Sequence, residues 1–286
     1  MRPRSYDVAA PLAGKSLDYA SKGQYFNATL ARGIQILGFF DEQHQQLALA
    51  DIARMAGMDR ATALRFLSTL CQLGYLERSP VTKGYRPAPA VLEVSYVALS
   101  SSNLLRFARN HLELLASRTS ETVNLGVLSG REVLYVHRIA QVELLMVNVF
   151  VGSRLPLHST SMGKVLLAHL PPPELGATLN GYEFRTLGPN TIVERTRLER
   201  ELDVIRHHGY AIQDEESSAG LRGIAAPIQD ASGKVIAAVN IAVPAIRITT
   251  EDLKRRFRPL IVETGLRISK ASRTADSRSV LSESPC

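Results

Sequence analysis

Apolar residues in this chain recur mostly with helical spacing, and the period drops to two in only a few stretches. The clearest helical pattern lies between residues 47 and 86. Leu49, Ile52, Ala53 and Ala56 stand at i, i+3, i+4 and i+7, which predicts a short helix closed by Gly57. Asp59 stands where a side-chain cap is wanted, and a second helix is predicted from Arg60 to Leu73. On that helix Ala63, Leu64, Phe66, Leu67, Leu70, Cys71 and Leu73 gather on one side, with Ala61, Thr62, Arg65, Ser68, Thr69 and Gln72 on the other. Gly74 stops it. Tyr75–Arg78 and Gly84–Arg86 then flank a Ser-Pro…Lys-Gly turn and predict a two-stranded wing. An earlier helix, Thr29 to Phe40, has Leu30, Ile34, Leu37 and Phe40 along one face and would cover the pair from behind. Together these elements predict a winged helix-turn-helix, whose small polar face with Arg65 at its middle suits a DNA major groove about 12 Å wide. An amphipathic helix pair with a hairpin and no nucleic acid satisfies the same periodicity.

Beyond the wing, Pro87 and Pro89 end strand pairing, and Ala90–Ser100 reads as a helix carrying Leu92, Tyr96 and Leu99 in register. Ser100–Asn103 breaks it and caps a strongly amphipathic helix, Leu104 to Ser117, with Leu104, Ala108, His111, Leu112 and Leu115 on one stripe; His111 reads as a packing histidine. Period-two patterns follow at Thr122–Leu128 and Glu132–Arg138 as an antiparallel pair, with a third strand expected around Glu143–Val149. After a triple-proline break at 171–173, a helix from Thr196 to His208 leads through Gly209 into Tyr210–Asp214, and Glu215–Gly220 reads as a loop. Strands Arg222–Gln229 and Lys234–Val243 turn at Asp230–Gly233, and a closing helix runs from Thr250 to Ser272. The fold class is therefore α+β: an N-terminal winged helix-turn-helix, a linker helix and a C-terminal domain with a mostly antiparallel sheet.

Length and charge sharpen this. The chain has 286 residues, room for two domains, and 45% hydrophobic against 21% charged residues marks it as globular. Net charge is +7, and the first 90 residues hold 11 basic against 7 acidic side chains, an excess of 4 that suits a polyanionic partner. Cys71 and Cys286 offer neither a disulfide framework nor metal-ligand spacing. There is no leader-type apolar segment and no run of 18 apolar residues, so a soluble, cytoplasmic protein without membrane contact is expected. Ser159, Thr160 and Ser161 precede an apolar helix, placing capping groups and free amides where an anion binds well. Gly163-Lys164 is not a phosphate loop, since the preceding glycine is missing and Val165 replaces the hydroxyl residue. Asp214-Glu215-Glu216 and His207-His208 read as solvated groups. No catalytic motif, metal cluster or cofactor fingerprint is present, so no catalytic, metal or cofactor residue is assigned, and an enzyme with a helical accessory domain is the lesser alternative.

The winged element, SRLPLHSTSMGKVLLA at 153–168 and GYAIQDEESSAGLRGIAAPIQD at 209–230 together resemble the IclR family of bacterial transcriptional regulators, over roughly Phe26 to Ile268. Within it the motifs are most similar to the branch that controls protocatechuate, 4-hydroxybenzoate and muconate catabolism. The resemblance implies a mobile arm at 1–24, a DNA-binding domain at 25–87, a linker helix at 88–102, a GAF-like effector domain at 103–272 and a disordered tail at 273–286. It implies a homodimer or dimer of dimers on a double-stranded operator, controlled by a small organic acid. The DNA-reading residues expected are Arg60, Ala61, Thr62, Arg65, Ser68 and Thr69 on the helix, with Lys83, Tyr85 and Arg86 on the wing. Ala61 stands where the family usually has a lysine-serine-threonine pattern and removes a hydroxyl. The family's pocket maps onto Ser159, onto the amides of Ser161 and Met162, and onto Asp214. Gly223, Asn240 and Ala242 stand where the glyoxylate-sensing branch has a cysteine and two serines. Two of these three are smaller and less polar, which favours an aromatic acid or its ring-fission product; glyoxylate or pyruvate is the alternative effector.

Overall fold

The computed structural model describes residues 25–41, 44–100, 103–140 and 149–282, with only the backbone described at 96, 98–100, 103 and 274–282. The N-terminal arm, the strand expected at 143–149 except its last residue, and part of the break at 100–103 lie outside these. The chain divides into two compact units at Ser101/Ser102.

In the first unit, helices α1 (Ala28–Leu37), α2 (Leu49–Met55) and α3 (Arg60–Gln72) precede a hairpin of β1 (Leu76–Arg78) and β2 (Tyr85–Pro87), and α4 (Ala90–Ser100) follows. The hairpin is antiparallel, with Glu77 opposite Arg86. Asn27 caps α1 by accepting from the Leu30 amide at 3.0 Å, and Asp59 caps α3 by accepting from the Thr62 amide at 2.8 Å. Ile36, Phe39, Leu47, Ile52, Leu67, Leu70, Leu76 and Tyr85 form the core. The expected inner face of α1 needs correcting: Leu30 and Ile34 are 62% and 51% exposed, and Ile36 is fully buried. The stripe facing α3 starts at Gly33, where an added Cβ would sit 3.8 Å from the Phe66 ring. A glycine contributes nothing to a hydrophobic count, so it hid the true face. On α3, Ala63, Leu67 and Leu70 are buried, but Leu64 and Leu73 are exposed, so the apolar side is narrower than expected.

The second unit opens with α5 (Asn103–Thr119), whose Ala108, Leu112, Leu115 and Ala116 are buried. Six antiparallel strands then build one sheet in the order β5-β4-β3-β8-β7-β6: β3 (Thr122–Ser129), β4 (Glu132–Ile139), β5 (Arg154–Pro156), β6 (Ala211–Asp214), β7 (Leu221–Gln229) and β8 (Val235–Pro244). The edge strand β5 lies just ahead of the anion-binding segment, in a region given no strand by periodicity. Helices α6 (Ser161–Ala168), α7 (Pro172–Leu179) and α8 (Arg195–His208) fall between β5 and β6. A single turn α9 (Thr250–Asp252), a π-helical turn at Leu253–Phe257 and α10 (Arg258–Ser282) end the chain. One sheet face packs with α5 and α10 around Leu112, Ile241 and Ile261; the other packs with α6 and α8 around Leu166, Leu202 and Ala225. Helix α10 runs ten residues past its expected end at Ser272. The stretch to Ser282 holds neither Gly nor Pro, so nothing in the sequence stops it. Residues 283–286 lie outside the described chain.

Candidate nucleic-acid interface and effector pocket

On α3 the residues expected to read DNA share one solvent-facing side. Arg60, Ala61, Arg65, Ser68, Thr69 and Gln72 are exposed and Thr62 is partly so. The N-cap organises this side. Asp59 accepts from the Thr62 hydroxyl at 2.7 Å, and Thr62 Oγ1 in turn accepts from Arg65 Nη2 at 3.3 Å. Those hydrogen bonds from Thr62 hold the Asp59 carboxyl below its usual range, so it stays charged. Thr69 donates its hydroxyl to the Arg65 carbonyl at 3.0 Å. On the wing, Lys83 adopts a left-handed φ of 59° at the turn, and Arg78 Nε donates to its carbonyl at 3.2 Å. Arg86 is exposed and pairs with Glu77 across the hairpin. Tyr85 is the exception. It is only 3% exposed, packed in the core, with its backbone bridged to Leu47. In a two-residue period its neighbour Arg86 takes the outer face, so Tyr85 is a core anchor of the wing and no base contact. Arg78, whose guanidinium sits 5.7 Å from the Tyr85 ring centre, is the basic wing residue missed from sequence.

In the second unit a cavity of about 30 Å³ lies between the start of α6 and the sheet. Strand register explains its walls. Asn124 on β3 is opposite Asn240 on β8, Ala242 is opposite Gly223 on β7, and Gly223 is opposite Gln213 on β6. These positions share a face by cross-strand pairing, and all five border the cavity with Ser161 and Thr160 of the α6 start. Thr160 caps α6 by accepting from the Gly163 amide at 3.1 Å. Gly163 is required: a Cβ there would lie 2.3 Å from the Leu157 carbonyl oxygen. Asn124 Nδ2 donates to Asn240 Oδ1 at 2.8 Å, which leaves the Asn240 amide nitrogen turned elsewhere. Gly223 faces the Ser161 hydroxyl so closely that an added Cβ would lie 3.2 Å from it and 3.3 Å from the Ile241 carbonyl oxygen, a crowded fit.

Four of the seven expected effector residues, Ser161, Gly223, Asn240 and Ala242, therefore meet at one cavity, and three do not border it. Ser159 is buried and its hydroxyl has no partner among the described residues. Met162 packs inward toward Gly126. Asp214 needs correcting for a geometrical reason: it follows Gln213 by one residue, and successive strand side chains alternate faces. Gln213 points to the cavity, and Asp214 binds Arg222 Nε at 2.5 Å. Arg222 also donates to the Ala245 and Ile248 carbonyls at 2.7 and 2.9 Å, so its guanidinium is fully engaged.

Sequence reading missed Tyr135, Arg138, Gln213 and Ser217, which also border the cavity. Tyr135 and Arg138 are three residues apart on β4, and a regular strand would send them to opposite faces. The pairing shifts between Leu125 and Gly126: Gly126 is opposite Tyr135, Leu125 opposite His137 and Asn124 opposite Arg138, leaving Val136 as an extra residue. This β-bulge brings Arg138 onto the cavity face beside Asn124, to whose Oδ1 it donates at 2.9 Å. Burial pushes the Tyr135 phenol above its usual range, so it is neutral.

A winged helix-turn-helix joined to a helix-flanked sheet with a small polar cavity is the architecture of a ligand-linked DNA-binding protein. Residues 29–80 match the IclR helix-turn-helix domain, and residues 96–270 match the C-terminal domain of the bacterial transcriptional regulator IclR. The chain belongs to the IclR family and is a transcriptional regulator, not an enzyme. It is 34% identical over 243 residues to the HTH-type transcriptional regulator XynR of Escherichia coli K12, covering 85% of this chain and 96% of that one. It is 34% identical over 265 residues to the Pca regulon regulatory protein of Pseudomonas putida, covering 91% and 90%. The crystal structure of an IclR homologue from Microbacterium hydrocarbonoxydans in complex with 4-hydroxybenzoate superposes with a TM-score of 0.75 at 28% identity, covering 86% and 100%. Among the described residues no helix is long and apolar enough to cross a membrane, and no group of three metal-ligating side chains exists.

Proposed function

We propose that this regulator controls a catabolic operon in response to a small aromatic carboxylic acid or its ring-fission product, which binds in the cavity at the start of α6. One observation carries the reading: Ser161 and Tyr135, both buried residues, line one cavity together with Asn124, Gln213, Ser217 and Asn240, so its wall is rich in hydrogen-bonding side chains. Polar groups withdrawn from water are normally paired, so a wall of this kind suits a polar ligand. The α6 N-terminus favours an anion there, and Gly223 and Ala242 keep one wall flat. The names of the Pca regulon relative and the 4-hydroxybenzoate complex point the same way. The cavity's 30 Å³ is close to one water's share of liquid volume, about 30 Å³, and is smaller than a ring acid. Ring binding must widen it by moving α6 against the sheet, and a packing change of that kind is what a ligand can send through residues 100–103 to the DNA-binding unit. On DNA, Arg65 would read bases while Lys83, Arg78 and Arg86 hold phosphates. A homodimer, or a dimer of dimers, would form through the α4 stripe of Leu92, Tyr96 and Leu99 expected from sequence, of which Leu92 is exposed. The small volume favours a second reading, a two- or three-carbon acid such as glyoxylate or pyruvate. Calorimetric titration with benzoate, 4-hydroxybenzoate, protocatechuate, muconate and glyoxylate separates them. Binding of glyoxylate alone overturns the aromatic reading.

A further inference from the structure

The cavity wall holds one charge that no ion pair balances among the described residues. Among its lining residues there is no carboxylate, lysine or histidine, and the two ionic groups are arginines. Arg222 is neutralised by Asp214 and Glu215. Arg138 is not: it is half-buried and forms no ion pair among the described residues, and its one hydrogen bond goes to the neutral Asn124. Burial disfavours its charged form and lowers its pKa from the arginine norm, with only the neutral Tyr135 beside it. A partly desolvated guanidinium without a counterion is costly, and a bulge in β4 has turned it toward the cavity rather than away. The free amides at the α6 start are a second electropositive point on the same cavity, contributed by a different element.

Resting on the effector site proposed above, we infer that Arg138 receives a second acidic group of the effector, so that the effector is a diacid. One carboxylate meets the α6 N-terminus and the Ser161 hydroxyl; the other meets the Arg138 guanidinium, with Tyr135 and the free Asn240 amide donating to what lies between. When dioxygen cleaves a dihydroxylated aromatic ring between its two hydroxyl-bearing carbons, both oxygen atoms enter the product and two carboxylates result, so the reaction that supplies this effector is ring cleavage of that kind, not ring hydroxylation. Arg138 is then the residue that separates ring-fission products from ring monoacids.

Muconate and sorbate test this, because they share a six-carbon diene and differ by one carboxylate. Calorimetry on the full chain should give muconate a Kd at least tenfold below that of sorbate. In Arg138→Gln the ratio should fall to near one through loss of muconate affinity, while sorbate binding stays within about twofold; Arg138→Lys should keep part of the preference. Circular dichroism and the thermal midpoint check each variant, and the wild-type comparison stands even if Arg138→Gln does not fold. Equal affinity for the two acids in the wild type, or a ratio that persists in Arg138→Gln, overturns the diacid inference and leaves the effector site standing. If neither acid nor any aromatic acid binds, the site itself falls with it.

Discussion

Lys164 is the most deeply buried charge among the described residues, and its replacement tests how α6 is held against the sheet. Its side chain is 1% exposed, and its Nζ donates to Glu216 Oε1 at 2.6 Å, the Ile212 carbonyl at 2.7 Å and Glu201 Oε1 at 3.3 Å. It thus ties α6 to β6, α8 and the loop that carries Ser217 to the cavity. Burial pushes the Glu216 carboxyl up, and Lys164 is the main influence opposing that rise. Lys164→Met keeps length and apolar stem but strands a buried carboxylate whose Oε2 already lacks a partner. Breaking one half of a buried pair costs about 3–5 kcal/mol. For a unit of this size that lowers the melting temperature by roughly 6–20 °C in scanning calorimetry. The pH dependence has a definite sign. Without Lys164 the folded-state pKa of Glu216 rises further above its unfolded value. The penalty is absent where both states are protonated and grows as pH rises through the folded pKa. The deficit should therefore be smaller at pH 5 than at pH 8. Adding Glu216→Leu should restore all but the cost of the unpaired Ile212 carbonyl, about 1–3 kcal/mol. A Lys164→Met melting point within about 2 °C of wild type, or a deficit independent of pH, would refute this account of the pair.

Arg65→Ala should flatten the preference between operator and scrambled DNA by about 1–3 kcal/mol, measured as the ratio of affinities, while the helix stays folded; an unchanged ratio would move base reading to another face. Replacing Leu92 and Leu99 with glutamate should give monomers by light scattering, since Leu92 is 71% exposed; an intact oligomer would place the interface in the effector domain. Lys83→Ala and Arg78→Ala should each weaken binding to any sequence and reduce the salt slope by about 1, the mark of a lost phosphate contact.

Most element types and their order were legible because the apolar periods were long and glycines and prolines marked their ends; β5 and α7, which starts within the triple proline read as a break, were not. The Asp59 cap, the wing and the antiparallel pairs follow from local sequence. Side-chain direction was harder, for identifiable reasons. Asp214 lost its expected place to Gln213 because the family's acidic position carries no information about strand parity here. Arg138 was invisible because a bulge in β4 breaks the alternation by which a reader assigns faces. Gly33 hid the inner face of α1, making Leu30 and Ile34 look like core. Tyr85 sits in a three-residue strand, too short for alternation to show which of Tyr85 and Arg86 turns inward.

If the cavity and the DNA-reading surface belong to one ligand-controlled switch, ligand binding and operator binding are coupled. The most direct measurement is fluorescence anisotropy of the full chain on the DNA upstream of its own gene, at several salt concentrations, with and without a ring acid or diacid that calorimetry shows to bind. Sequence-specific binding should weaken linearly in log salt. The ligand should change operator affinity by roughly 5–150-fold, with the same factor appearing in ligand affinity when operator is bound. A ligand that saturates the cavity and leaves operator affinity unchanged would contradict the account.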